Sequence, residues 1–93
     1  MSTIRLYATL RARANDEREV DVGWRPGASI GDAIRELVAR RPGLEGCILD
    51  PQGGMVPYVS VFVDGRDIRH LDGLATLLAD GHEIAIFPPV AGG

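Results

Sequence analysis

The chain has 93 residues, 45% hydrophobic and 25% charged, which is room for one globular domain and excludes a disordered polymer. A formal net charge of −3 leaves no broad basic field for nucleic acid or anionic lipid. All ten basic residues are arginine, which excludes lysine Schiff-base chemistry, a phosphate-loop lysine and isopeptide bonds to this chain's own side chains.

Residues 3–10 (TIRLYATL) alternate Ile4, Leu6, Ala8 and Leu10 with Thr3, Arg5, Tyr7 and Thr9, the period of a strand. RARANDER (11–18) is a charged break and EVDVG (19–23) a second short strand, which together predict a β-hairpin with a long loop. Trp24-Arg25-Pro26-Gly27 reads as a turn. Ser29 predicts a helix N-cap, with Asp32 reaching back in a capping-box variant. Ile30, Ala33, Ile34, Leu37 and Val38 then form one stripe of an amphipathic helix. Arg40 and Arg41 suit its negative end, and Pro42-Gly43 stops it.

Residues 44–57 mix apolar positions with Gly and Pro, predicting one short helical turn and a loop. YVSVFVDG (58–65) is a strand with Val59, Val61 and Val63 on one side and Tyr58, Ser60 and Phe62 on the other. Residues 67–81 predict a short strand followed by a tight turn or 3₁₀ segment. Asp80-Gly81 is a hairpin-type turn, and HEIAIF (82–87) a last strand with Ile84 and Ile86 inward. This order predicts an α+β domain over residues 1–87, one main helix packed across a mixed sheet, with an extended tail over 88–93. Met1-Ser2-Thr3 runs directly into a strand, and no apolar run approaches the roughly 18 residues of a membrane span. The expectation is a cytoplasmic protein without a targeting segment or a membrane partner.

Side-chain chemistry is sparse. Cys47 stands alone in an apolar stretch and reads as a small core residue. His70 and His82 lack ligand spacing with each other or with Cys47, so they read as structural and no metal site is expected. Asp50, Asp64, Asp72 and Asp80 sit beside Gly or Pro, where turn-forming Asp belongs. No glycine motif for phosphate is present, so any ATP used would be bound by another protein.

The tail is different. Pro88-Pro89 favours an extended course and holds the last four residues off the body. At about 3.3 Å per residue, positions 88–93 reach roughly 20 Å. Val90 and Ala91 are small and uncharged, and Gly92-Gly93 is the narrowest thread a channel can receive. The reacting group would be the carboxylate of Gly93, ordinarily ionised and therefore needing activation, for instance by adenylation, before a nucleophile attacks. A Gly-Gly tail without function is the alternative, and the internal Gly53-Gly54 shows the same dipeptide in an ordinary loop.

FPPVAGG (87–93) resembles the terminal signature of the MoaD/ThiS family of ubiquitin-like sulfur carriers, especially the molybdopterin-synthase small subunit. Residues 61–93 resemble the C-terminal half of that family throughout, and the strand–strand–helix order before them fits as well. The resemblance implies a ubiquitin-like β-grasp fold and a non-catalytic role as sulfur-donating co-substrate or small subunit. It also implies a cycle in which an adenylating enzyme of the ubiquitin-activating kind uses ATP to form an acyl-adenylate at Gly93. A sulfurtransferase or desulfurase then supplies sulfur, and the resulting thiocarboxylate donates it to an acceptor. No cofactor is expected on this chain itself. Pro88-Pro89 resembles molybdopterin-synthase subunits, with a large subunit as acceptor. The RDIRHLDGLATLLADG stretch (66–81) and the longer 44–57 loop resemble carriers that serve a cysteine synthase, or small archaeal-type modifiers. A ubiquitin-like modifier joined through Gly93 to other proteins is a further alternative.

Tyr7, Phe62 and Phe87 occupy outward strand positions, where a solvated sheet face should be polar. They predict an apolar patch rimmed by Arg5 near the root of the tail, onto which the partner docks. The alternative is that loops of this chain cover the rings. Arg11 and Arg13 could steer an acidic partner rim, or simply solvate the hairpin.

Overall fold

Strand β1 (Thr3–Leu6) pairs antiparallel with β2 (Glu19–Asp21), Ile4 facing Val20 and Arg5 facing Glu19. Ile4, Leu6 and Val20 point to one side and are buried. The structure is a computed structural model describing residues 3–79 and 81–89.

The strand expected over 3–10 stops at Leu6, and Ala8–Arg13 form a short helix, α1. The alternation hid a second period: Leu10 and Ala14 are also spaced i, i+4, and the helix buries both, at 3% and 0% exposure. Ala, Leu and Arg are strong helix formers, so once Ala8 turns the chain at φ 51° the helical register wins. Arg11 and Arg13 therefore lie in the last turn of α1 rather than in an open hairpin loop.

Helix α2 (Ile30–Arg40) begins as predicted. The Asp32 N–H donates to Ser29 Oγ and the Ser29 N–H donates to Asp32 Oδ2, each at 3.1 Å, a complete capping box. Ile30, Ala33, Ile34 and Leu37 are buried, and Val38 is half-buried at the edge of the stripe. Arg41 forks onto Glu17 at 2.7 and 2.9 Å, tying the end of α2 to the loop after α1. That contact raises the Arg41 pKa and lowers that of Glu17.

Past the 3₁₀ turn at Pro42–Leu44 and a loop, β3 (Ser60–Val63) and β4 (Arg66–Asp67) form a hairpin. Its turn is Asp64-Gly65, with φ 50° and 81°, the left-handed pair that short hairpins demand. Val59, Val61 and Val63 are buried as predicted, but Tyr58 lies in a turn before the strand rather than in it. Short 3₁₀ turns come next at Ile68–His70 and Gly73–Ala75. Strand β5 (Ile84–Phe87) then inserts between β1 and β3, parallel to the first and antiparallel to the second, with Ile84 and Ile86 inward. The sheet order is β2-β1-β5-β3-β4. β5 therefore does not pair with β4, so the expected turn at Asp80-Gly81 joins no two adjacent strands, although the His82 N–H donates to the Ala79 carbonyl at 3.4 Å across it. Gly81 does turn, at φ 86°, while Asp80 lies outside the described residues.

One mixed sheet covered on one face by one main helix is the expected α+β, ubiquitin-like β-grasp architecture. The expected turn at 24–27 is shifted by one residue: the Ala28 N–H closes it by donating to the Arg25 carbonyl at 3.0 Å, and Trp24 lies just before it. Its ring is buried, and its Nε1–H donates to the Ala79 carbonyl at 3.1 Å, anchoring the segment before β5. Cys47 is half-buried at the margin of the core rather than inside it. Among the described residues no helix is long and apolar enough to cross a membrane.

Gly43 does more than stop α2. A Cβ there would collide with the Arg13 carbonyl oxygen at the end of α1, and backbone cannot move aside as a side chain can. Gly43→Ala is expected to destabilise the fold by about 1–3 kcal/mol, the usual cost of overpacking. Urea denaturation reads this as a lower midpoint, and an unchanged midpoint would show that the two segments are not pressed together.

Candidate functional site

The root of the tail lies at the centre of the sheet, because the strand leading into it is hydrogen-bonded on both sides. β5 ends at Phe87; Pro88 is half-buried and Pro89 exposed. Val90, Ala91, Gly92 and Gly93, expected to carry the thread and the reacting carboxylate, lie outside the described residues.

The register assembles the aromatic face. β1 runs parallel to β5 with Leu6 opposite Ile86, so the next residues, Tyr7 and Phe87, stand side by side. Their rings stack with centroids 4.3 Å apart and planes 13° from parallel. On the other side Ser60 faces Phe87 and Phe62 faces Ala85, and Phe62 meets Phe87 edge-on at 5.6 Å and 88°. The three predicted rings thus come together beside the tail, all half-buried. Packing against one another accounts for part of that cover.

Ala85 is a site residue that the sequence pattern did not single out. Being small and opposite Phe62, it leaves a shallow cleft of about 290 Å³ lined by Arg5, Tyr7, Phe62 and Phe87. The signal was available: a single small side chain in a strand of Ile, Ile and Phe.

Arg5 borders this cleft as expected, but its guanidinium is engaged, donating from Nε to Glu19 Oε1 at 2.9 Å. Glu19, and after it Tyr7, raise its pKa further. A second cleft of about 350 Å³ adjoins the first, and Arg5, Tyr7, Arg11, Arg18 and Glu19 line it. Three guanidiniums against one carboxylate make this side of the tail root locally positive. Arg13 is not among the residues lining either cleft.

Asp67 stands opposite Phe62 on β4. Its carboxylate accepts the Arg69 fork, with the Nε contacts at 3.1 Å, and the Arg69 backbone N–H at 2.8 Å. Those hydrogen bonds hold its pKa down from 3.8 to about 2. His82 is structural, as expected: its Nδ1 accepts the Ala79 N–H at 3.0 Å. His70 is exposed, and among the described residues no cluster of His, Cys, Asp or Glu could hold a metal ion.

The profile of the ThiS family matches residues 4–93. Small archaeal modifier protein 3 of Haloferax volcanii is 40% identical over 92 residues, 97% of this chain and 96% of that protein. The sulfur carrier protein CysO of Mycobacterium tuberculosis is 32% identical over 93 residues, 98% of this chain and 97% of that one. In the crystal structure of the Amycolatopsis orientalis BexX/CysO complex, a chain 26% identical to this one superposes with a TM-score of 0.85, covering 100% of both.

The depressed pKa of Asp67 predicts an acid-labile contribution to stability. A carboxylate held low stabilises the fold above its ordinary value of 3.8, and that stabilisation drains away as pH falls through about 2. Asp67→Asn is therefore expected to flatten the loss of thermal stability between about pH 4 and pH 2, read by circular dichroism melts. Parallel pH profiles for the two proteins would mean that Asp67 gains nothing from Arg69.

Proposed function

The chain belongs to the ThiS family of ubiquitin-like sulfur carriers, and on that premise we propose that the carboxylate of Gly93 is its reacting group. An adenylating partner joins that carboxylate to AMP and releases pyrophosphate from ATP. Sulfide displaces the AMP to leave the thiocarboxylate directly; where a sulfurtransferase or desulfurase presents the sulfur as a persulfide, an acyl disulfide forms as AMP leaves and a thiol reduces it to the thiocarboxylate. The thiocarboxylate gives its sulfur to an acceptor. This chain is the co-substrate, and the partners supply the catalytic groups. Its use of ATP through a partner is consistent with work in the cytoplasm.

The observation that carries this reading is the exit of β5 from the centre of the sheet directly into Pro88-Pro89. A strand held on both sides gives Pro88-Pro89 a fixed origin, from which the chain after them is offered to a partner's channel. Tyr7, Phe62, Ala85 and Phe87, with Arg5 at the rim, form the docking face around that origin. A half-buried, preformed aromatic cluster binds without a large ordering cost.

Two acceptors each have an observation in their favour. Pro88-Pro89 favours a molybdopterin-synthase large subunit. The near full-length likeness to a carrier named CysO favours a cysteine synthase. The 40% identity to a protein named as a modifier supports a further role, conjugation through Gly93.

Intact-mass spectrometry of the protein from its native cell tests the chemistry. The expected species has one oxygen replaced by sulfur at the C-terminus, and deletion of Gly92-Gly93 abolishes it without changing the thermal midpoint. Conjugates retaining the Gly93 acyl group would instead mark a modifier, and neither species forming with the cognate adenylating enzyme and ATP would end the proposal. Docking is tested separately. Phe62→Asp and Phe87→Asp are expected to weaken partner binding about tenfold or more, since each puts a charge in an apolar contact. Unchanged affinity would remove the aromatic face from the interface.

A further inference from the structure

Tyr58 lies on the opposite flank of the tail from Tyr7. β3 is antiparallel to β5 with Ser60 facing Phe87, so two residues further along each strand, Tyr58 and Pro89 leave the same end of the sheet. Tyr58 is 84% exposed, beyond Leu71 at 36% and Leu77 at 66%. Its φ is +68°, in the left-handed region that a bulky side chain rarely enters. The turn spans 56–59 and is closed by the Val59 N–H donating to the Val56 carbonyl at 3.3 Å. Proline at its second position and positive φ at its third make the pattern of a turn that favours glycine at position 58.

A ring so exposed adds little to the core, and the backbone beneath it is worse off than with glycine. Folding accounts for a turn here, which ends the β3 ladder, but not for a tyrosine in it, since glycine would make the same turn without strain; strain of this kind collects where a protein meets a ligand or partner. We infer that Tyr58 is a contact residue for the adenylating enzyme that receives the tail, its ring filling an apolar pocket beside the mouth of the tail channel. The inference rests on the carrier reading above. Any partner that encloses Pro89 and the residues after it must close over the end of the sheet where Tyr58 stands. An aromatic ring with an apolar body and a polar tip suits the rim of such a channel, and a constrained turn limits the ordering lost on binding.

The test measures binding to the purified cognate adenylating enzyme by isothermal titration, for the full chain and for the chain lacking Gly92-Gly93, each with and without Tyr58→Gly. Glycine accepts the positive φ, so the variant is expected to melt at the same temperature or higher while binding about tenfold more weakly in both backgrounds. Parental affinity for Tyr58→Gly would overturn the inference, as would a loss of affinity matched by a fall in melting temperature. Self-association of the parent chain that Tyr58→Gly abolishes would also overturn it, since a second copy would then be the occupant. The chain lacking Gly92-Gly93 keeps the two readings apart. Tyr58-dependent binding without any thiocarboxylate would sink the sulfur chemistry alone, and thiocarboxylate formation with Tyr58-independent binding would sink this inference alone.

Discussion

The insertion of β5 between β1 and β3 is the constraint on which the rest of the molecule depends. Ile84 and Ile86 enter the middle of the core at 1% and 0% exposure, and both backbone edges of the strand are hydrogen-bonded. A parallel neighbour can be reached only through a long connection, and here almost the whole chain between β1 and β5 supplies it, including the helix that covers the sheet. The strand that precedes the tail is thereby held by two ladders. An edge strand could fray and let the tail swing; a central one moves only if the sheet opens. The stability of the domain and the placement of Phe87 and the two prolines after it are one property.

The same insertion creates the aromatic face and limits its cost. Apolar rings on a solvated sheet face run against the usual alternation, and the register compensates by bringing Phe87 between Tyr7 and Phe62 so that the rings cover each other. Stacked and edge-on pairs contribute about 0.5–1.5 kcal/mol beyond their area. Around them the charges are engaged within the chain, Arg5 with Glu19 and Asp67 with Arg69. The exposed Arg5–Glu19 pair adds little stability, whereas the Asp67 carboxylate is largely covered. They do place hydrated groups along the apolar cluster, which limits non-specific association while leaving the rings accessible.

Legibility in the sequence depends on how local the determining physics is. The capping box at Ser29 and the apolar stripe after it need only four or five neighbouring residues, and α2 appears where they predict. The inward valines of β3 and isoleucines of β5 are legible for the same reason. Residues 8–10 depart from the strand expectation, and 11–13 from the expected loop, because Leu6, Leu10 and Ala14 suit a helical spacing as well as Leu6, Ala8 and Leu10 suit a strand, and a period alone does not separate them. Three Asp-Gly pairs, at 64–65, 72–73 and 80–81, carry the same local signal, and only the tertiary choice of strand partners decides that Asp64-Gly65 joins two adjacent strands. The aromatic meeting is legible from outward positions; Ala85 is not, because what it contributes is the absence of a side chain. Trp24 reads as a turn residue because its partner, the Ala79 carbonyl, lies far along the chain.

Backbone strain marks the exit as well. Among the described residues, Ala8, Asn15, Asp16, Tyr58 and Asp64 have positive φ without being glycine. Asn and Asp tolerate that region through their short polar side chains, which accounts for three of the five. Ala8 and Tyr58 have no such help, and they lie just beyond the ends of the two strands that flank β5, at the end where the tail departs. At Ala8 the chain leaves β1 abruptly for α1; at Tyr58 it arrives abruptly into β3. A relaxed course at either place would carry the neighbouring strand onward beside Pro88 and Pro89 and extend the sheet along them. The two turns cut that extension short, so the ladder ends with Phe87 and the prolines, which have no N–H to give, begin where pairing stops. Strain on both sides and proline in the middle serve one end, a tail that separates from the sheet at a defined residue.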